Sequence, residues 1–212
     1  MRLHEGLPIL TAGVPLSEAK AVMLMIHGRG ATPQSILSLA DEFSSAGFAY
    51  VAPQAADSSW WPQRFVAPVA ANEPYFSSAL AAIDSVVQQI EAAGIPAEKV
   101  ILLGFSQGAV LALEYAARHA QRFGGVVGLS GGLFGPALDR DSYKAAFSGT
   151  PVFLGCSDVD FHIPKARVEE SAVMLRELGA EVTMRLYPNM GHTVNADEIE
   201  YVNQLMATVI SA

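Results

Sequence analysis

Short apolar runs alternate with amphipathic segments along most of the chain. Runs that are rich in β-branched and other apolar residues predict buried strands at residues 21–26, 48–53, 99–103, 123–129 and 152–155. Residues 181–187 alternate between polar and apolar positions, which predicts a half-buried strand, and residues 7–13 are predicted to form an edge strand.

Helices are predicted at residues 32–46, 76–92, 109–117, 165–178 and 196–210, and in 76–92 the apolar residues are spaced three and four apart. Thr32 is suited to cap the first of these helices, Pro33 to occupy its first turn, and Gly47 is expected to end it. The intervening segment 54–72 is a long loop that contains several aromatic residues, and segment 133–149 is also loop-like.

Strands that alternate with helices predict an α/β fold with a mostly parallel central sheet, right-handed crossovers and helices on both faces. In such sheets the functional residues lie beyond the carboxyl ends of the strands, where the polar loops of this chain fall. No repeat or linker divides the sequence, so we predict a single domain over residues 1–212.

Composition agrees with a doubly covered sheet, because 51% of the residues are hydrophobic and only 16% are charged. A formal net charge of -8 disfavours nucleic acid as a partner and adhesion to an anionic membrane surface. The chain has one cysteine, no apolar signal-peptide region and no apolar run of a length to cross a bilayer. We therefore expect a cytoplasmic protein without stable membrane insertion, either a monomer or a homodimer.

Gly104-Phe105-Ser106-Gln107-Gly108 lies where a predicted strand meets a predicted helix. A G-x-S-x-G pattern in that context is typical of a nucleophile elbow, in which two glycines make room for a sharp turn. The elbow exposes the Ser106 hydroxyl above the sheet, at the positive end of the following helix.

A serine nucleophile needs a histidine base and an acid that orients it, and in this fold they follow the serine in the order acid, then histidine. His192 lies in a loop after a strand and is the favoured base, with His162 as the alternative. Asp158 and Asp160 both follow the strand that ends near Gly155, and spacing alone does not separate them. Asp139 and Asp141 also precede His192, but no strand leads into their region.

The remaining histidines and the cysteine are given structural roles. His27 is expected to shape its loop by hydrogen bonding, His119 to place a favourable charge at a helix end, and His4 to lie at a mobile end. Cys156 is predicted to be a buried thiol. The chain has no cluster of histidines and cysteines that suits a metal, so neither a metal nor a cofactor is expected.

An oxyanion hole requires two preorganised N–H donors. The backbone N–H of Gln107 is one candidate, and that of Arg29, in the glycine-rich loop after the first buried strand, is the other. A simple glycine turn is the alternative interpretation of that loop. Trp60, Trp61 and Phe65 are candidates to line an apolar acyl pocket, with ordinary core packing as the alternative.

Several further motifs occur together with the elbow, between about residues 21 and 192: His27-Gly28-Arg29-Gly30, Ser59-Trp60-Trp61, Gly94-Ile95-Pro96, Leu129-Ser130-Gly131, Asp160-Phe161-His162-Ile163-Pro164 and Gly191-His192. Together they resemble the phospholipase/carboxylesterase family of α/β-hydrolases, which includes the acyl-protein thioesterases. The resemblance implies an α/β-hydrolase fold without a large lid domain. It also favours Asp160 as the acid, because the family's aspartate stands four residues before a proline.

The chain departs from the family pattern at Ala31, where the family usually has aspartate, at Cys156-Ser157, where it has His-Gly, and at Trp61-Pro62. The motifs predict a serine carboxylesterase that hydrolyses small to medium acyl esters, with thioesters and lysophospholipids as further substrates, through Ser106, His192 and Asp160. One alternative is a lactone or ring-cleavage-product hydrolase with the same triad. The other is a non-catalytic binding protein on a hydrolase fold.

Overall fold

A seven-stranded sheet forms the centre of the computed structural model, which describes residues 3–43, 46–119, 121–143 and 147–212. The strand order is β1-β3-β2-β4-β5-β6-β7, and every neighbouring pair is parallel except β1 with β3. The strands are β1 Ile9–Gly13, β2 Ala21–Ile26, β3 Phe48–Pro53, β4 Val100–Phe105, β5 Gly125–Leu129, β6 Pro151–Ser157 and β7 Glu181–Tyr187.

Helices cover both faces of this sheet. They are α1 Pro33–Leu37, α2 Tyr75–Ala92, α3 Gln107–Arg118, α4 Lys165–Glu177 and α5 Ala196–Ser211. Apolar residues of α2, α3 and α4 form one core with one face of the strands, and those of α1 and α5 form a second core with the other face. Because β2, β4 and β5 lie between these two cores, almost every one of their residues is buried, which explains their continuous apolar runs.

The first helix is much shorter than the sequence predicts. Thr32 caps it as expected by accepting a hydrogen bond from the backbone N–H of Ser35, but α1 ends at Leu37 and a 3₁₀ turn follows at Ser38–Glu42. The Ser35 and Ser38 hydroxyls donate to backbone carbonyls, an interaction that competes with continued helix. Gly47 therefore does not end this helix, and the predicted residues 44 and 45 lie outside the described residues.

The predicted elbow forms where β4 ends at Phe105 and α3 begins at Gln107, with only Ser106 between them. A Cβ on Gly108 would overlap the carbonyl group of Ile26 at the end of β2, and a Cβ on Gly104 would overlap the backbone of Gly108. The first turn of α3 therefore lies directly on the neighbouring strands, and only glycine fits at both positions.

We expect Gly108→Ala to lower the free energy of unfolding by more than about 3 kcal/mol, because the added methyl group meets backbone that cannot move aside. Gly94→Ala is the matched control, since Gly94 has open space around its Cα but a positive φ of 91°, and it should cost only about 1 kcal/mol. Urea unfolding of both variants measures the difference. Equal losses would mean that close packing does not dictate the glycine at 108.

Candidate active site

Ser106 is held in a backbone conformation that L-residues rarely adopt, with φ at 54°. Its N–H donates to Leu129 O at the end of β5, and its carbonyl accepts from Val110 N in α3. These bonds connect the turn to the sheet on one side and to the helix on the other. The hydroxyl is thereby fixed at the carboxyl end of β4.

A continuous line of hydrogen bonds joins Ser106 to His192 and Asp160. His192 Nε2 lies 2.9 Å from Ser106 Oγ, and His192 Nδ1 lies 2.6 Å from Asp160 Oδ2. The Asp160 carboxylate is fully buried, and its other oxygen accepts from the backbone N–H groups of His162 and Ile163. A carboxylate can only accept, so Nδ1 donates to Asp160 and Nε2 is left to accept the hydroxyl proton.

Asp158, the other candidate acid, lies near the same loop but does not contact the imidazole. Its Oδ1 accepts a hydrogen bond from Asn189 N, while Ser157 Oγ accepts one from Gly191 N. Both interactions hold the loop that carries His192. Asp139, which also precedes His192 in the chain, caps the 3₁₀ turn Arg140–Ser142 by accepting a hydrogen bond from Asp141 N.

Two aromatic rings flank the imidazole of His192. The Phe105 ring lies 4.9 Å away on one side and the His162 ring, in an edge-on arrangement, 4.9 Å away on another. His162 thus contacts the candidate base rather than the serine, which agrees with the choice of His192 over His162.

A cavity of about 440 Å³ opens beside Ser106 and His192. Of the candidate pocket residues, Trp61 and Phe65 line it, and Val110 and Ile163 add further apolar surface. Trp60 does not line it. The indole of Trp60 is fully buried and donates to His27 O, so its place is in the core beneath the loop.

The backbone N–H groups of Arg29 and Gln107 donate to no acceptor within the described residues, and both residues line the cavity with Ser106. Their side chains have a function that the sequence did not indicate. The Gln107 amide accepts from Trp60 N and donates to Trp61 O. The Arg29 guanidinium donates to the next two carbonyls, those of Pro62 and Gln63.

His4 is buried rather than mobile. Its ring bonds to Trp60 O and accepts from Ala56 N, and its backbone N–H donates to Ser78 Oγ. His27 shapes its loop as predicted, since Nε2 accepts from Ala55 N while Nδ1 bonds to Gly28 O. Burial lowers the pKa of both imidazoles, which keeps them neutral. Nothing in the sequence around His4 signals this contact.

Cys156 is buried, with Sγ 3.9 Å from Asp160 Oδ2. Burial, with a smaller contribution from the Asp160 charge, raises the pKa of the thiol to about 12, so it stays protonated. Among the described residues, no group of three His, Cys, Asp or Glu side chains is arranged to bind a metal ion. In the same part of the chain, every helix is too short or too polar to cross a bilayer.

Glu198, at the start of α5, is fully buried against Gly155 of β6, where a Cβ would overlap its Oε1. Oε2 accepts from Asn195 N and Asn195 Oδ1 accepts from Glu198 N, so the two residues form a capping box just after His192. Burial raises the pKa of this carboxyl to about 7. Between the ordinary carboxyl pKa and about pH 7, the folded state therefore holds a proton on Glu198 that the unfolded chain has lost.

The contribution of protonated Glu198 to stability is present below its ordinary pKa and disappears as the pH rises through about 7. Glu198→Gln keeps the cap but cannot become charged. We therefore expect its free energy of unfolding, relative to that of the wild type, to rise by on the order of 2 kcal/mol as the pH is raised from 4 to 8. Denaturant unfolding at several pH values measures the gain. Glu200→Gln, exposed on the same helix, should show no such trend, and parallel curves for all three proteins would contradict the assignment.

A mostly parallel seven-stranded sheet with a serine at the sharp turn between a central strand and its helix defines an α/β-hydrolase fold. The Phospholipase/Carboxylesterase family model matches residues 13–210, and the chain belongs to that family.

Relatives and solved structures agree with this membership. Acyl-protein thioesterase 1 of Gibberella zeae is 32% identical over 124 residues, which cover 58% of this chain and 53% of the relative. The Saccharomyces cerevisiae protein of the same name is 31% identical over 128 residues, and the matches span about half the length of these curated relatives. A crystal structure titled phospholipase/carboxylesterase from Dyadobacter fermentans is 44% identical, with a TM-score of 0.93 over 98% of this chain and 99% of that one. The Bacillus cereus carboxylesterase, 19% identical with a TM-score of 0.72 over 97% of this chain and 95% of that one, shares the fold.

Proposed function

We propose that this protein is a serine carboxylesterase that hydrolyses small to medium acyl esters through Ser106, His192 and Asp160. The observation that carries the proposal is the hydrogen-bonded line from Asp160 through His192 to Ser106 Oγ, with distances of 2.6 and 2.9 Å. Family membership and the open cavity beside Ser106 support it.

In the first half of the reaction, His192 Nε2 takes the proton of Ser106 Oγ as the oxygen attacks the carbonyl carbon of the ester. Asp160 stabilises the imidazolium that forms, since its buried carboxylate already accepts from Nδ1. The backbone N–H groups of Arg29 and Gln107 stabilise the oxyanion, each by about 3 kcal/mol. The tetrahedral intermediate collapses, and the alcohol leaves with the proton from His192.

In the second half, water takes the place of the alcohol. His192 accepts a proton from the water molecule, which attacks the acyl-enzyme, and the carboxylic acid is released as Ser106 recovers its proton. A thioester can pass through the same steps with a thiol as the leaving group. The relatives named acyl-protein thioesterase make thioesters a second substrate class to assay.

We expect Ser106→Ala to lower kcat/KM for p-nitrophenyl butyrate by about 10⁴-fold or more, and to abolish covalent labelling by a fluorophosphonate. The loss follows from removal of the only nucleophile in the proposed mechanism. Wild-type hydrolysis by the purified, folded variant would exclude this mechanism.

Asp160→Asn should cost roughly 10³- to 10⁴-fold in kcat, because an amide cannot stabilise the imidazolium and favours the wrong tautomer of His192. Asp158→Asn is its matched control. Asp158 braces the backbone at Asn189 rather than the imidazole, so its loss should cost no more than about tenfold. Equal losses in the two variants would leave the acid unassigned.

A series of p-nitrophenyl esters from acetate to palmitate tests the size of the acyl group. Because the buried side chains of Trp61 and Phe65 bound the cavity, we expect kcat/KM to peak at short or medium chains. A peak at palmitate would instead favour acyl-protein or lysophospholipid substrates.

A further inference from the structure

The charged residues that line the cavity at Ser106 are positive, whereas the chain as a whole has a negative net charge. The sequence has 21 acidic and 13 basic residues. Among the described residues that line the cavity, however, none is Asp or Glu, while Arg29 and Arg64 are present. In the described part of the chain, the one carboxylate that hydrogen-bonds to a lining side chain is that of Asp160, which is bonded to His192, so the two arginines outnumber it. An acidic protein therefore has a basic cavity at its candidate active site, and such a local field favours anionic ligands.

Arg64 is the lining cation that is free to bind a ligand. Its side chain is exposed at the mouth of the cavity and makes no hydrogen bond or ion pair within the described residues. Its backbone, by contrast, is fixed. The carbonyl of Arg64 accepts from Asn72 Nδ2 and from Ala67 N, while the buried Asn72 also accepts from Gln63 N. A cation on an anchored backbone can bind a ligand without ordering the loop first.

In the part of the chain that the structure describes, the guanidinium of Arg29 also makes no ion pair with an acidic residue. Its guanidinium donates to the Pro62 and Gln63 carbonyls, which carry no net charge. The first turn of α3 adds to the positive field, because Gln107 lines the cavity at the helix N-terminus. The two arginines and the helix N-terminus thus favour an anion in the cavity, against the single Asp160 carboxylate that pairs with His192.

We propose that the ester hydrolysed here carries a carboxylate, which Arg64 binds at the cavity mouth while the reacting carbonyl lies at Ser106. A guanidinium presents paired N–H donors whose geometry matches that of a carboxylate. This substrate class rests on the proposed esterase function. The carboxylate belongs either to the acyl part or to the alcohol part of the ester, and the test separates the two.

The test compares charged esters with neutral esters of the same shape. The mono-p-nitrophenyl ester of adipic acid, with its terminal amide as the neutral partner, places the charge on the acyl part. 4-Butanoyloxybenzoate, with 4-butanoyloxybenzamide as its partner, places the charge on the leaving group. We expect wild-type protein to prefer the charged member of one pair by about five- to tenfold in kcat/KM at low salt.

Arg64→Gln should bring that preference close to one, and Arg64→Lys should retain part of it, because lysine keeps the charge but not the paired donors. Arg122→Gln is the matched control, since Arg122 is exposed and does not line the cavity. It should keep the wild-type preference.

Hydrolysis of both members of each pair at equal rates, with Arg64→Gln changing neither ratio, would overturn this inference and leave the esterase proposal standing. Hydrolysis of none of the four esters by the wild type would overturn both. A preference that survives Arg64→Gln would also reject Arg64 as the anion-binding residue.

Discussion

The position of the candidate nucleophile depends on the close contact between the first turn of α3 and the end of β2. A side chain at Gly108 would overlap the Ile26 carbonyl, so the helix can approach this closely only because glycine stands there. In the same turn Ser106 has a positive φ of 54°, and Gln107 lines the cavity together with Arg29 of the loop that follows β2. The nucleophile and one candidate oxyanion donor, Gln107, thus lie on a turn that packs directly against the strand whose loop carries the other donor, Arg29.

The candidate acid and base are positioned by a different part of the sheet. Asp160 and His192 follow β6 and β7, and the loops that carry them are joined by Ser157 and Asp158, which accept from backbone N–H groups of the His192 loop. The polar side chains that sequence spacing left ambiguous therefore have separate tasks. Asp160 bonds to the imidazole, and Asp158 holds the backbone that presents it.

Sequence patterns predicted the features that depend on local chain properties. Buried strands have continuous apolar runs, so β2 to β6 could be predicted from the sequence. The elbow glycines follow from steric demand, so the turn at Ser106 could be predicted as well, and so could the loop of His192. The acid required the family resemblance as well. The short α1, the burial of His4 and the position of Trp60 depend on serine hydroxyls, a hydrogen bond across the fold and one indole N–H, none of which periodicity records.

The part of the cavity wall formed by residues 61–63 is attached through its main chain. Gln107 and Arg29 bond to the N–H of Trp60 and to the carbonyls of Trp61, Pro62 and Gln63, groups that a residue of almost any type could provide. The exposed side chains of Pro62 and Gln63 can therefore change while the path of the segment stays the same, whereas Trp60 and Trp61 are held by their burial. Since β6 and β7 carry the acid and base independently, new substrate preferences can evolve here without rebuilding the hydrolytic machinery.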